Sequence, residues 1–150
     1  MKKIFILFYF LLFSCGYQPL YNANNVEKIE IKEINFNGNI DLGKKIFSKL
    51  PFTINERNQD LNKLIIESTK EVLETSKNSK GQTISYRTVL NVKLIVLNSE
   101  NKIFSQKNFN KEFSYKDDDN KFRFKEYQLE IENNLANKIA EDLIIYLNYK

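Results

Sequence analysis

The apolar positions along the chain change period several times, and each change marks an element. Across residues 26–36 they alternate with polar residues, as in a strand with one buried face. Ile29 and Ile31 share one parity and Ile34 and Phe36 the other, so the spacing predicts a β-bulge near Lys32 and Glu33. Asn37-Gly38-Asn39 reads as a turn. Leu42, Ile46, Phe47 and Leu50 then recur at helical spacing, with Asp41 placed to cap the helix and Pro51 to stop it. Residues 52–59 read as a connector, 61–75 as a strand around Leu64-Ile65-Ile66, and 76–82 as a turn. The longest alternation runs from Thr83 to Leu97. It places Ile84, Tyr86, Thr88, Leu90, Val92, Leu94 and Val96 on one face, with Ser85, Arg87, Asn91 and Lys93 on the other. After a short polar turn, residues 103–115 alternate again with Phe109, Phe113 and Tyr115 on one side, which predicts an antiparallel hairpin. From about Phe122 the period becomes 3.6. Ile131, Leu135, Ile139, Leu143 and Leu147, with Ala136 and Ala140, form the stripe of a long amphipathic helix.

The element order is therefore β-α-β-β-β-α. Both helices need a sheet face to cover. The expected fold is α+β: a two-layer sandwich of two helices on a four-stranded, mostly antiparallel sheet. A chain of 150 residues is long enough for one such core.

The N-terminus follows a different logic. Met1-Lys2-Lys3 is a short positive start, and residues 4–13 are an unbroken apolar run. As a helix that run extends about 15 Å, half of the roughly 30 Å hydrocarbon core of a bilayer. It fits the h-region of a secretory signal peptide. The run closes on Leu12-Phe13-Ser14-Cys15-Gly16, which resembles a bacterial lipobox, with Phe13 departing from the usual residue at its position. Cys15 is the single cysteine of the chain. The resemblance implies a diacylglycerol thioether on Cys15, which becomes the mature N-terminus. Each buried acyl CH₂ contributes about 0.8 kcal/mol to holding the chain at a membrane. Gly16, rather than the Asp that retains enterobacterial lipoproteins in the inner membrane, implies outer-membrane sorting, facing the periplasm. The expected organisation is a signal peptide over 1–14, a lipidated tether over 15–25 and one domain over 26–150. Tyr17 and Tyr21 beside the anchor suit a membrane interface.

Composition narrows the chemistry. With no histidine and one cysteine, histidine-dependent triads, zinc sites with histidine ligands and intramolecular disulfides are excluded. The formal charge of +4 falls to about +2 once Lys2 and Lys3 leave with the signal, so a pI near 9.0 does not signify a nucleic-acid partner. Asp117-Asp118-Asp119-Asn120 invites a calcium loop. A loop starting at Asp117 would need Gly where Phe122 stands and Glu where Gln128 stands. There is no Gly-x-Ser-x-Gly elbow and no Gly-rich phosphate loop. The chain is expected not to be an enzyme, with no metal and no cofactor beyond the lipid on Cys15.

Cys15-Gly16-Tyr17-Gln18-Pro19-Leu20-Tyr21 resembles the mature start of the alphaproteobacterial branch of the LPS-assembly lipoproteins, the LptE family. Gly81-Gln82-Thr83, leading into a strand with Tyr86, is similar to that family's entry to its central hairpin. Phe113-Ser114-Tyr115, the charged loop, and Glu126-Tyr127 through Leu147 resemble its closing strand, loop and C-terminal helix. Glu132, Leu135, Ala136, Ile139, Ala140 and Leu143 fall at helical positions like those of the branch. The resemblance implies a β-α-β-β-β-α sandwich anchored in the outer membrane. It would plug the LPS-translocon β-barrel, an LptD-like partner, assist its assembly and help lipopolysaccharide reach the outer leaflet.

Lipid A carries phosphates and acyl chains, so a binder would present Lys or Arg beside apolar surface. Two clusters qualify. One is Lys77 and Lys80 around the turn, with Arg87 further along. The other is Lys121, Arg123 and Lys125, interleaved with Phe122 and Phe124. The bland alternatives are a solvated loop and helix start. At the level of the whole chain, the alternative is a generic envelope lipoprotein that binds another envelope protein or a cell-wall component.

Overall fold

The computed structural model describes residues 28–148. The signal peptide, Cys15 and the tether with Tyr17 and Tyr21 lie outside the described residues. The chain runs β1 (Ile29–Ile31), β2 (Glu33–Gly38), α1 (Ile40–Phe47), β3 (Phe52–Ile54), β4 (Lys63–Lys77), β5 (Thr83–Leu97), β6 (Ile103–Lys116) and α2 (Lys121–Asn148). The main sheet has the order β2-β4-β5-β6, with β2 parallel to β4 and the other pairs antiparallel. Both helices cover one face of it. This is the expected α+β sandwich, to which β1 and β3 add a small parallel sheet.

The alternation in β5 and the stripe in α2 meet as the periods require. Leu90, Val92 and Leu94 of β5 pack with Leu64 and Ile66 of β4 beneath Ile131, Leu135, Ile139 and Leu143 of α2. Ala136 and Ala140 are buried as well; small residues there let the helix approach the sheet closely. The two long hairpin turns share one chemistry. Asn78 Oδ1 accepts from the backbone N–H of Lys80 and Gln82, and Asn98 Oδ1 does the same for Glu100 and Lys102. The fourth residue, Gly81 or Asn101, takes the left-handed backbone that each turn needs.

Three local expectations change. The parity slip at Lys32 is a switch between sheets rather than a bulge: β1 pairs with β3, and β2 pairs with β4. The extra residue lets Ile31 on one side, and Ile34 and Phe36 on the other, all turn toward the core. The expected connector contains β3, where Phe52 stacks on Phe47 of α1. The cap of α1 is Asn39, whose Oδ1 accepts from Leu42 N at 3.1 Å, while Asp41 lies in the first turn. An asparagine directly after the strand residue Gly38 leaves no room for a later cap.

Glu132 ties three elements together. Its carboxylate accepts from Lys45 of α1 at 2.9 Å and from Lys70 of β4 at 2.8 Å, with only 13% of its side chain exposed. Burial by itself works to raise the Glu132 pKa. The hydrogen bonds and charges of Lys70 and Lys45 outweigh it and hold the carboxyl below its ordinary value of 4.5. The carboxylate therefore contributes stability above about pH 4.5, and that contribution fades as pH falls through the lowered folded value. Glu132→Gln is expected to cost about 1–3 kcal/mol at pH 7, between the values for exposed and buried pairs. The gap to wild type should narrow progressively as pH falls below 4.5, which a series of urea titrations from pH 7 downward would show. A gap unchanged by pH would mean that the two lysines do not hold the helix.

Candidate functional site

The sequence places its two basic clusters some forty residues apart, and the sheet register brings them to one end of the sandwich. Lys77 pairs with Thr83 across the β4–β5 hairpin, and Ser85 pairs with Lys116 at the end of β6. Asp117 N donates to Ile84 O at 3.0 Å, so the acidic loop lies beside the start of β5. Helix α2 starts there and runs back over the sheet.

An aromatic floor supports this end. Tyr86, Tyr115 and Phe124 contact one another with ring centroids 5.2–6.0 Å apart, and Tyr127 meets Tyr115 edge-on at 5.9 Å. The Tyr115 hydroxyl is within hydrogen-bond distance of Thr88 Oγ1 at 3.1 Å and accepts from Gln128 Nε2 at 2.9 Å. The phenol is thus buried with its polar tip satisfied. Lys121 Nζ lies 5.6 Å from the centre of the Phe124 ring.

Most of the candidate cations are held by nearby carboxylates. Lys121 donates to Asp117 at 2.9 Å, and Arg123 forks onto Asp118 at 2.7 and 2.8 Å. The guanidinium hydrogen bond, helped by the Asn120 N–H, holds Asp118 below the usual carboxylate range. The hydrogen bond to Asp117 in turn raises Lys121. Asn120 Oδ1 caps α2 by accepting from Phe122 N and Arg123 N. The acidic run therefore spends Asp117 and Asp118 on its basic neighbours and Asn120 on the helix. Lys77 pairs with Glu74 at 3.2 Å. Lys80 stands at the apex of the hairpin turn and Lys125 on the first turns of α2, and neither forms an ion pair among the described residues. Arg87 does not join the group. Its alternation places it on the open face of the sheet, where it bonds Ser114 Oγ at 3.2 Å and lies 3.5 Å from Glu112.

Of the apolar half of the site, the sequence pattern shows only Phe122 and Phe124. Val72, Ile84, Phe113, Phe122, Tyr127 and Leu129 are all substantially exposed at this end, and Phe122 is 73% exposed. The cause is topological. α1 ends its cover at Ser68, so the outer half of β4 has only α2 beside it. A groove of about 170 Å³ opens there between β4 and α2, with Val72 and Leu129 on its walls and Thr88, the Lys70–Glu132 pair and the unpaired Lys125 in its lining. A larger groove of about 370 Å³ lies on the other side of α2, against β6. It runs past Phe113 and Ile131 but carries Glu130 and Glu141 against Lys138, which disfavours an anion. The signal for Val72 was present in the sequence, because it shares the parity of Leu64 and Ile66 and lies beyond the reach of α1. The spacing Ser-x-x-Lys occurs at Ser99 and Lys102, but in an exposed turn where Lys102 is paired with Glu100 at 2.7 Å, so it builds no nucleophile and base.

Ion pairs such as these lie in solvent, where water and salt screen them and little stability depends on them. A phosphate can take over their cations at little cost. The arrangement is suited to reversible, non-covalent binding of an amphiphilic anion.

No family model matches the sequence, and no curated protein matches it. Solved structures do match. The fold is shared with bacterial lipoproteins. Rare lipoprotein B from Shewanella oneidensis superposes with a TM-score of 0.61 over 78% of this chain and 94% of its own, at 12% identity. A minor lipoprotein from Acinetobacter baumannii gives 0.59 over 79% and 89%, at 15% identity. Lipoprotein B from Nitrosomonas europaea gives 0.53 over 87% and 88%, at 12% identity. At these identities the likeness establishes the architecture. Because it spans nearly the full length of the first of those chains, the sandwich corresponds to their whole solved domain.

Proposed function

We propose that this protein is a lipid-anchored envelope lipoprotein of the outer membrane that serves as plug and assembly partner of the LPS-translocon β-barrel and engages lipopolysaccharide without covalent chemistry. The observation that carries the reading is the hairpin end of the sandwich, where loosely held cations surround exposed apolar side chains. Phosphates would exchange onto Lys80, Lys125, Lys121 and Arg123, while acyl chains would lie along Val72 and Leu129. The lipobox-like Cys15, the Cys15–Tyr21 resemblance and a fold shared with solved lipoproteins support the same reading. A plug also needs a polar exterior. The open face of the sheet supplies one, with Asn110 Nδ2 donating to Asn91 Oδ1 and that side chain donating on to Thr69.

The test is a mild-detergent pull-down of the tagged chain from its own membranes. A stoichiometric large β-barrel, with lipopolysaccharide retained, is the expected result. Lys80→Glu with Lys125→Glu should keep the barrel and lower lipopolysaccharide retention about tenfold, as loss and reversal of two exposed charges implies. A pull-down without a barrel rejects the plug. Retention unaffected by the double reversal rejects the hairpin end as the lipid site.

A further inference from the structure

β6 closes one side of the main sheet and is fourteen residues long. The ladder shows which of its main-chain groups face outward. Asp117 N donates to Ile84 O at 3.0 Å, and from Ser85↔Lys116 to Val96↔Ser105 the register runs on without a slip. Bonded rungs alternate along an antiparallel pair. The odd-numbered residues of β6 therefore bond to β5, and Gln106, Asn108, Asn110, Glu112 and Ser114 turn both N–H and C=O outward. Those outward groups have no main-chain partner among the described residues. Neither proline nor bulge blunts the edge between Ser105 and Lys116, so it is a template for another strand. The groove of about 370 Å³ against α2 runs beside it, with half-exposed Phe113 in its wall. Glu130, Glu141 and Lys138 of that groove form no ion pair among the described residues. Neither does exposed Lys107, which lies on the same face of β6, whereas Lys111 is held by Asp142 of α2 at 2.7 Å.

We propose that β6 pairs antiparallel with β6 of a second copy of this chain, about a two-fold axis at Asn110, and so doubles the four-stranded sheet. Charge selects both the occupant and the register. With Asn110 opposite its own copy, Asn108 faces Glu112 and Gln106 faces Ser114 on the open side of the sheet. On the helix side Lys111 faces Phe109, and Lys107 faces Phe113, at the groove that holds Glu130 and Glu141. The symmetry makes each contact twice. Moving the axis by one residue sets Lys107 against Lys111, or Lys111 against its own copy. Moving it to Glu112 sets that carboxylate against itself. Like charges directly opposite disfavour pairing. The lysines thus leave the Asn110 register open and close its neighbours. A foreign strand would have to bring a cation to one fixed position, which this chain already carries in Lys107. Pairing over 106–114 forms about ten main-chain hydrogen bonds. The groove at Val72 and Lys125 lies on the other side of α2 and stays open. A barrel that encloses the sandwich would cover β6, so the pair belongs to the chain outside the barrel, and its test does not depend on that reading.

The full-length chain is extracted in mild detergent, freed of other proteins, and its protein mass is measured by sedimentation equilibrium at matched detergent density. A pair is expected at about 100 µM, dissociating on dilution. Asn108→Pro removes an outward N–H and leaves the bonds to β5 in place. Its thermal melt should stay close to wild type, while self-association weakens about tenfold or more, because the pair loses two hydrogen bonds. Asn110→Cys puts a thiol on the axis, where the Cα separation of a bonded rung, about 5.5 Å, suits a disulfide. Oxidation in the membranes should link it to its own copy, above the background set by the wild-type chain with Cys15 alone. Asn91→Cys, one strand further in on β5, should not link. A wild-type chain that sediments as a monomer at about 100 µM overturns the proposal. So does linking of Asn91→Cys as strong as that of Asn110→Cys. Linking of Asn110→Cys to a different protein overturns it as well, and gives the edge to a foreign strand. Should Asn108→Pro melt early, the two cysteine variants decide.

Discussion

Gly38→Ala is expected to unfold at much lower urea than the wild-type chain, with a loss of about 3 kcal/mol or more. Gly38 closes β2 with a φ of 76°, in the left-handed region where an L side chain is strained. A Cβ there would stand 2.3 Å from the Ser68 carbonyl oxygen and 3.3 Å from its carbon. Those are backbone atoms of β4, so no side chain can swing away. The same carbonyl accepts from Asn39 N at 2.7 Å, and Ser68 Oγ donates to Asn39 O at 2.7 Å. This is the point where the chain leaves the sheet and begins α1, and displacing it loosens both. Gly81→Ala is the internal control. Its φ of 78° is nearly the same, yet nothing lies within 4 Å of the new Cβ. It should cost only about 1 kcal/mol, the left-handed backbone penalty. Equal losses in the two variants would show that the Ser68 contact does not matter.

Phe124→Ala should be nearly as damaging, at about 3 kcal/mol, near the lower end for a buried Phe. The ring is buried against Tyr86 and Tyr115, and it is the first core side chain of α2. Its loss leaves a cavity at the hairpin end and unpins the helix turn that carries Lys121, Arg123 and Lys125. Lipid retention should therefore fall along with stability. Phe122→Ala, two residues earlier on the exposed side, should change stability by less than about 0.5 kcal/mol. It should weaken lipid binding alone if its ring serves an acyl chain. Thermal melts of both variants, read beside the pull-down, separate the structural phenylalanine from the surface one. Matching melts would mean that Phe124 does not anchor the helix.

The periodicity of the chain made β5, β6 and α2 legible, because a strand with one buried face and an amphipathic helix each repeat at a period set by backbone geometry. Thr83–Leu97 agrees with the observed strand at both ends. β3 was invisible because three residues cannot show a period, and its pairing with β1 is purely non-local. Phe113 shares the buried parity of Phe109 and Tyr115 yet is 46% exposed, since α2 covers β6 only in part there. Parity names the face of a residue but not what lies over that face.

The candidate site divides along the same line. Residue types and local spacing by themselves determined the sandwich order, the apolar faces, the turn chemistry around Asn78 and the two basic clusters, since each depends on neighbours within a few positions. Only the tertiary structure decided that the clusters share one end and that Asp117 and Asp118 occupy Lys121 and Arg123. It also decided that the outer half of β4 lies uncovered beside Lys125. These depend on strand register and on where α1 stops, which are set by pairings between residues tens of positions apart and by packing that no local pattern encodes.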